Sequence, residues 1–441
     1  MIPFYKTAST LFGLLGWPYF YWHLKRRGRG ESFLPRLGLR LPPPPPGGSP
    51  RIWLHGVSVG EILAAVPLVR ELHKMLPQAA IIVTTGTETG QAVARKHFPS
   101  LGAQVCYFPL DIPWAVSRYL RHFRPRVFVT LESELWPNFL AQAHKAGVRL
   151  ALVNGRVSDK TFIRLIKYRR YINDILEKIE LFAAGSPQDY ERYQALGITP
   201  GKLHLTGNLK IDRLLQSREP EKVAEFRQLL QLPEESADRL PVFLAASTHP
   251  GEEDVVLETY QDLRSPHPAL LLLLAPRHPE RAPELGSLLK QFHLPFHLFS
   301  RLKSGRETRS HPVVIIDTIG DLFSLYGLAD AAFVGGSLAD HGGQNILEPA
   351  AWGLAPVYGP HLQNFRWAQN ILEGAGAGIM IKNVPSLTAA LRRLLDHPEE
   401  RRAQGERARA ALTPHQGAAR RQAELIVELA VSSEQGLGVR G

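Results

Sequence analysis

The chain has 441 residues and a mass of 49.2 kDa, enough for two or three domains at roughly 100–200 residues each. Hydrophobic types make up 44% and charged types 21%, which is ordinary globular usage and excludes disordered and fibrous classes. The net charge of +11 resides in two stretches, residues 1–50 and 156–170, and the remainder is neutral. A coat for nucleic acid would be spread more widely or interleaved with stacking aromatics, so no nucleic-acid partner is expected. Cys106 is alone, which excludes an internal disulfide framework and a cysteine-built zinc site and fits a reducing compartment.

At the N-terminus, residues 7–24 carry no fixed charge, a run just short of the ~20 residues that span a bilayer comfortably. Trp17, Tyr19, Tyr21 and Trp22 gather at its end, and Lys25, Arg26, Arg27 and Arg29 follow at once. Rings of this kind favour the headgroup zone, and the cations hold that end on the cytoplasmic side. Residues 1–30 therefore read as a membrane-anchor helix, with a buried N-terminal helix as the alternative. The five prolines at 42–46 and the Gly-Gly-Ser-Pro at 47–50 make residues 31–50 a stiff spacer.

From Arg51 onward, short apolar runs alternate with helical patterns. Strands are expected at 51–55, 80–84, 104–108, 126–131, 149–153, 181–184 and 203–206, and again at 241–245, 269–275, 313–317, 331–334, 355–358 and 378–381. Helices are expected between them, as at 61–75 and 113–123. Such alternation implies parallel sheets covered on both faces. The expected fold is α/β, two Rossmann-like domains facing each other across a cleft. The first spans 51–212 and the second 241–430, joined by a linker at 213–240 and followed by a flexible tail at 431–441.

Ligands in such sheets bind at the carboxyl ends of strands. The first loop, His55-Gly56-Val57-Ser58-Val59-Gly60-Glu61, places Glu61 in the first helical turn. There it can complement the helix dipole or act as general base for a hydroxyl nucleophile. Glu132 and Glu134 follow the fourth strand, on one side if that strand continues, with helix capping as the plainer reading. Lys210 can hold an anionic group as a point charge or sit on a solvated face. In the second half Arg277 ends a strand, where it can recognise phosphate or form a surface ion pair. Gly342 and Gly343 permit close backbone approach, Asn345 opens a helix, and Glu348 one turn on can accept hydrogen bonds from ribose hydroxyls. The chain has no Asp-X-Asp clamp, no P-loop and no His-Glu-x-x-His pair, so metal-free chemistry without a cofactor is expected.

Taken in order, residues 55–61, 131–138, 154–158, 207–212, 275–281, 319–322 and 342–349 resemble the 3-deoxy-D-manno-octulosonic acid (Kdo) transferases, a GT-B glycosyltransferase family of lipopolysaccharide synthesis. The resemblance implies metal-independent, inverting transfer of Kdo from CMP-Kdo to a hydroxyl of a lipid A precursor (lipid IVA type), at the cytoplasmic side of the cell inner membrane. It also implies that Glu61 is the general base and that Glu132 and Lys210 stabilise the transition state. Pro276, Arg277, Ile319, Gly320, Asp321, Asn345, Ile346, Leu347 and Glu348 match the CMP-binding stretches. A GT-B-like sugar-nucleotide epimerase, another transferase, or a non-enzymatic membrane-anchored lipid-binding protein are the competing readings.

Residues 160–172 form a further pattern, an amphipathic helix. Lys160, Arg164, Lys167 and Arg170 supply cations, while Phe162, Ile163, Leu165, Ile166 and Ile172 supply apolar surface. The plain reading is a helix covering the first sheet. The alternative is contact with anionic lipid and acceptor, supported by ~1 kcal/mol per basic residue near an anionic surface.

Overall fold

Apolar runs that are buried on both faces produce two parallel sheets in this computed structural model, which describes residues 2–11, 16, 21–22, 26, 32–45, 48–233 and 240–432. The first sheet comprises β1 (Gly48–Gly56), β2 (Ala79–Thr85), β3 (Gln104–Tyr107), β4 (Val127–Leu131), β5 (Arg149–Gly155), β6 (Leu181–Ala184) and β7 (Leu203–Leu205). Its order is β3-β2-β1-β4-β5-β6-β7. The second comprises β8 (Val242–Thr248), β9 (Leu271–Pro276), β10 (Phe296–Leu298), β11 (Val313–Ile315), β12 (Ala331–Val334), β13 (Pro356–Tyr358) and β14 (Ile379–Met380), ordered β10-β11-β9-β8-β12-β13-β14.

Each expected strand is present. The additional strand, β10, is a Phe-His-Leu triplet too short for its pattern to register. Side chains alternate across each sheet: Ile52 and Leu54 enter one core layer, and Trp53 enters the other among Phe108, Tyr119, Phe123, Phe128 and Phe139. Both layers are built of buried apolar side chains, as a doubly covered parallel sheet requires. In each sheet the winding reverses beside its first strand, between β1 and β4 and between β8 and β12.

The domain boundaries differ from expectation at two places. The first unit contains Met1–Arg213 and also His415–Gly441, and the second contains Leu214–Pro414. The C-terminal helix Ala418–Val431 was expected with the second domain. Instead Ala419, Ala423 and Ile426 share a core with Leu68, Val69 and Leu72 of the helix Val59–Met75. The linker is largely integral to the second unit, because Phe226, Leu230 and Leu232 pack with Leu244, Phe299 and Val314. Residues 234–239 of the linker and 433–441 of the tail lie outside the described residues.

The spacer is docked along the first unit. Phe33 and Leu37 pack on Ile112 and Ala115, and Arg36 donates to the carbonyls of Phe108 and Gly86 at 3.2 and 3.3 Å. The carbonyls of Pro42 and Pro43 accept from His122 and Gln104 at 2.7 and 2.6 Å. Exposed proline carbonyls are strong acceptors, so an extended run binds a surface readily. The anchor stretch falls mostly outside the described residues. Within the described ones, no helix is long and apolar enough to cross a membrane. The helix Ile2–Leu11 rests on the first unit, with Ser9 accepting from Asn138 at 2.9 Å.

Candidate active site

In the first unit, the loop after β1 ends in a reciprocal cap. Ser58 Oγ accepts from the Glu61 N–H at 3.3 Å and donates to Glu61 Oε1 at 2.6 Å. The Val57 N–H donates to Glu61 Oε2 at 2.8 Å. Glu61 thus closes the helix N-terminus, beyond the dipole-complementing role weighed from sequence. It also fixes the carboxylate at the helix start, at the carboxyl edge of the sheet.

Opposite lies the loop after β4. The strand does not continue: Glu132 takes a left-handed conformation with φ 59°, so Glu132 and Glu134 do not share a strand face. That bend sends Glu132 to Lys210, with Nζ and Oε1 2.5 Å apart. Lys210 also crosses the first turn of the Glu61 helix, where a Cβ added at Gly60 would stand 3.7 Å from its Cε. Glu61, Glu132 and Lys210 therefore belong to one site.

Glu134 joins them. Burial, and then the charges of Glu61 and Glu132, push its carboxyl up to about 7. With Lys210 engaged by Glu132, a third ionised carboxylate is poorly supported, and a proton is the cheapest remedy. The following helix, Pro137–Lys145, starts with proline as expected, and the Asp111 carboxylate accepts from the N–H groups of Asn138 and Phe139 at 3.1 and 2.8 Å.

Sequence reading missed what holds Lys210 in place. Asn154 Oδ1 accepts from the Leu209 N–H at 2.8 Å, and His415 Nδ1 accepts from the Asn208 N–H at 3.1 Å. Burial, with Arg421 adding to it, lowers His415 to about 4, which keeps it a neutral acceptor. The Asp212 carboxylate in turn accepts from Gly417 and Ala419, both at 2.8 Å. The isolated Asn, Asp and His were the available signal, but the Asn154 partner lies 55 residues on and the partners of Asp212 and His415 more than 200 away in sequence.

In the second unit the site residues again occupy loops around the reversal point. Pro276, Ile346 and Leu347 are buried, so only their backbones can meet a ligand. Arg277 is exposed. Ile319 is 90% exposed and Gly320 has φ 89°. The Asp321 carboxylate turns inward to Thr318 Oγ1 (2.7 Å), Lys303 Nζ and Lys222 Nζ (both 3.0 Å), and so shapes the loop. Burial opposes its charge, but these hydrogen bonds hold its carboxyl below the usual range.

Asn345 precedes a helix of only five residues, Leu347–Ala351, and donates to Glu348 Oε1 at 3.2 Å. Burial pushes Glu348 up to about 7, against Asn345 and the charge of Arg277. Gly342 and Gly343 have φ 80° and 78°, and a Cβ at either would collide with Asn364 or Leu362. Another feature missed from sequence is Glu252. Its carboxylate accepts from the N–H groups of His249, Gly336, Ser337, Leu338 and Ala339 at 2.7–3.3 Å. It thereby fastens the loop after β12 to the loop after β8.

The model of the 3-deoxy-D-manno-octulosonic acid transferase family matches residues 31–213. The chain is 34% identical over 386 residues to the transferase of that name from Haemophilus influenzae, covering 87% of each chain. The chain belongs to the Kdo transferase family. It is also 34% identical over 414 residues to the transferase from Bordetella pertussis, covering 91% of this chain and 93% of that one. Among solved structures, UDP-GlcNAc 2-epimerase from Neisseria meningitidis bound to UDP-GlcNAc matches with a TM-score of 0.59 and 13% identity, over 86% of this chain and 99% of that one. A glycosyltransferase from Rickettsia africae matches with a TM-score of 0.54 and 14% identity, over 87% and 99%. At those identities the likeness is one of fold. Like this Kdo transferase family member's own strands, the shared frame places loops at strand ends and leaves the chemistry to the side chains on them.

Lys160, Arg164, Lys167 and Arg170 lie on the helical segment that follows β5. The expected single helix breaks at Tyr168 into Asp159–Lys167 and Arg169–Leu176, so Arg170 is not on the stripe of the other three. The apolar residues divide as well: Phe162, Leu165 and Ile172 pack on the core, while Ile163 and Ile166 remain 68% and 42% exposed.

Proposed function

We propose that this Kdo transferase family member moves Kdo from CMP-Kdo to a hydroxyl of a lipid A precursor, by single displacement with inversion. The observation that carries this reading is the joining of Glu61, Glu132 and Lys210 at the reversal point of the first sheet. An acceptor hydroxyl is a poor nucleophile until its proton leaves, and Glu61 is held with two hydrogen bonds and free lone pairs to receive it. Lys210, with Glu132 orienting it, offsets charge that develops on the donor's anionic groups. The nucleotide lies against Arg277, residues 319–321 and residues 345–348, with Glu348 accepting from ribose hydroxyls. The leaving group carries one phosphate, which Arg277 and the loop N–H groups can meet.

The reading includes attachment to the inner membrane through residues 1–30, with both units on the cytoplasmic side. Ile163 and Ile166, exposed between Lys160, Arg164 and Lys167, suit contact with anionic lipid. The test is incubation of the purified chain with CMP-Kdo and a lipid A precursor. Release of CMP that depends on acceptor, with a Kdo-bearing product, is expected. Release of CMP without acceptor, or epimerised sugar, would overturn the reading.

A further inference from the structure

At the carboxyl edge of the second sheet, the loops after β8, β9 and β12 bring three imidazoles together. His249 and His341 stack with ring centroids 4.2 Å apart and planes inclined by 18°. His278 meets His249 edge-on, at 6.2 Å and 89°. β9, β8 and β12 are adjacent in the sheet, and the gap between β8 and β12 is the reversal point at which open α/β sheets take ligands.

These rings are not core fillers, since His278 and His341 are exposed and His249 is half-buried. Room for the pair is built into the backbone. A Cβ at Gly336, where φ is 65°, would stand 3.2 Å from the His249 ring. No group of three or more metal-ligating side chains is found among the described residues.

The charges that act on His249 are Glu252, His341, His278 and Arg277. The Glu252 carboxylate is already occupied by five backbone N–H groups. Further out, Glu280 is 3.5 Å from His278, and Asp340 is 3.5 Å from His361. With Glu252 so occupied, the other charges acting on His249 are those of Arg277, His341 and His278. Burial, and then His341, lowers His249 below its ordinary value, with Glu252 opposing. An anion arriving here reverses that balance and favours proton uptake.

We propose that His249, His341 and His278, with Arg277, form the oxyanion subsite that takes the donor's phosphodiester. This rests on the nucleotide reading above, and deepens it by naming the groups that meet the phosphate.

The test is calorimetry on the full chain with cytidine and with cytidine 5′-methyl phosphate, whose phosphodiester does not itself titrate near neutrality. Titrations run between about pH 6 and 8, in two buffers of different ionisation enthalpy. The phosphodiester should bind at least about tenfold more tightly than cytidine at the acid end, with the advantage shrinking as pH rises. Proton uptake should accompany the phosphodiester alone, because Glu348 faces the ribose that both ligands share. His249→Gln and His341→Gln should each remove most of the advantage and its pH dependence, with cytidine affinity unchanged. Equal affinities for the two ligands, or an advantage that survives both substitutions, would place the phosphate elsewhere while leaving the nucleotide site standing. Failure of both ligands to bind would overturn the nucleotide reading together with the subsite.

Discussion

Glu61 closes a helix N-terminus and offers a carboxylate at the sheet edge with the same side chain. Glu61→Gln keeps an acceptor for the Val57 N–H but loses basicity. Turnover should fall on the order of 10²–10⁴-fold, with CMP affinity and melting temperature nearly unchanged; a mutant within a few-fold of wild type would remove Glu61 from the mechanism. Glu348 carries a pH signature. With its carboxyl near 7, only the ionised fraction makes charge-assisted bonds to ribose, so cytidine affinity should rise as pH passes from 6 to 8. Glu348→Ala should weaken CMP by roughly 1.5–3 kcal/mol, and Glu348→Gln should flatten the cytidine pH profile. An unchanged CMP affinity on calorimetry would displace the ribose from this residue. Glu134 bears on stability. Its folded carboxyl, near 7, holds a proton more tightly than the unfolded reference of 4.5. The folded state therefore binds more protons between those values, and stability falls as pH rises through that window. Glu134→Gln should melt a few degrees above wild type at pH 8 and show no such gain near pH 4.5, as read by thermal denaturation.

Among the helices, the C-terminal one has a role its sequence does not advertise. Asp212 binds two N–H groups at its start, and that junction orients the turn bearing Lys210. Asp212→Ala leaves buried donors unpaired, a loss of about 1–3 kcal/mol. It should lower turnover as well as melting temperature, whereas a purely structural junction would lower the melting temperature alone. The helix pair around Tyr168 poses the opposite case, with Ile163 and Ile166 exposed at its surface. Reversing Arg164, Lys167 and Arg170 to Glu should lower activity on acceptor vesicles at low salt far more than nucleotide binding, with circular dichroism unchanged. Equal vesicle activity would leave these helices as plain cover for the sheet. The break at Tyr168 was invisible to periodicity because both halves keep the same amphipathic alternation.

At the scale of the molecule, the two sheets repeat one device: chemistry-bearing side chains on the loops that flank the point where winding reverses. CMP should therefore slow hydrogen exchange in the loops at 247–251, 277–281, 319–321 and 335–348, and leave those at 57–61 and 132–136 as they were. Protection spread evenly over both units would contradict assignment of the nucleotide to the second.

Thirteen of the fourteen strands and the doubly wound class were legible in the sequence from local pattern, apolar runs too short for helices with loop motifs directly after them. Glu61, Glu132 and Lys210 were singled out together only through the family resemblance, because each residue alone had an equally plain structural use. The left-handed turn at Glu132, which brings its carboxylate to Lys210, escaped because the next residues could equally have extended the strand. Burial of Glu134 and Glu348 escaped because desolvation depends on neighbours remote along the chain. The docking of the proline run and the return of the C-terminal helix escaped for a related reason. Proline carbonyls and an amphipathic helix state what they can bind, but not which surface will be nearest. Local periodicity determined the elements of this protein; tertiary packing decided their company, their charge states and therefore their chemistry.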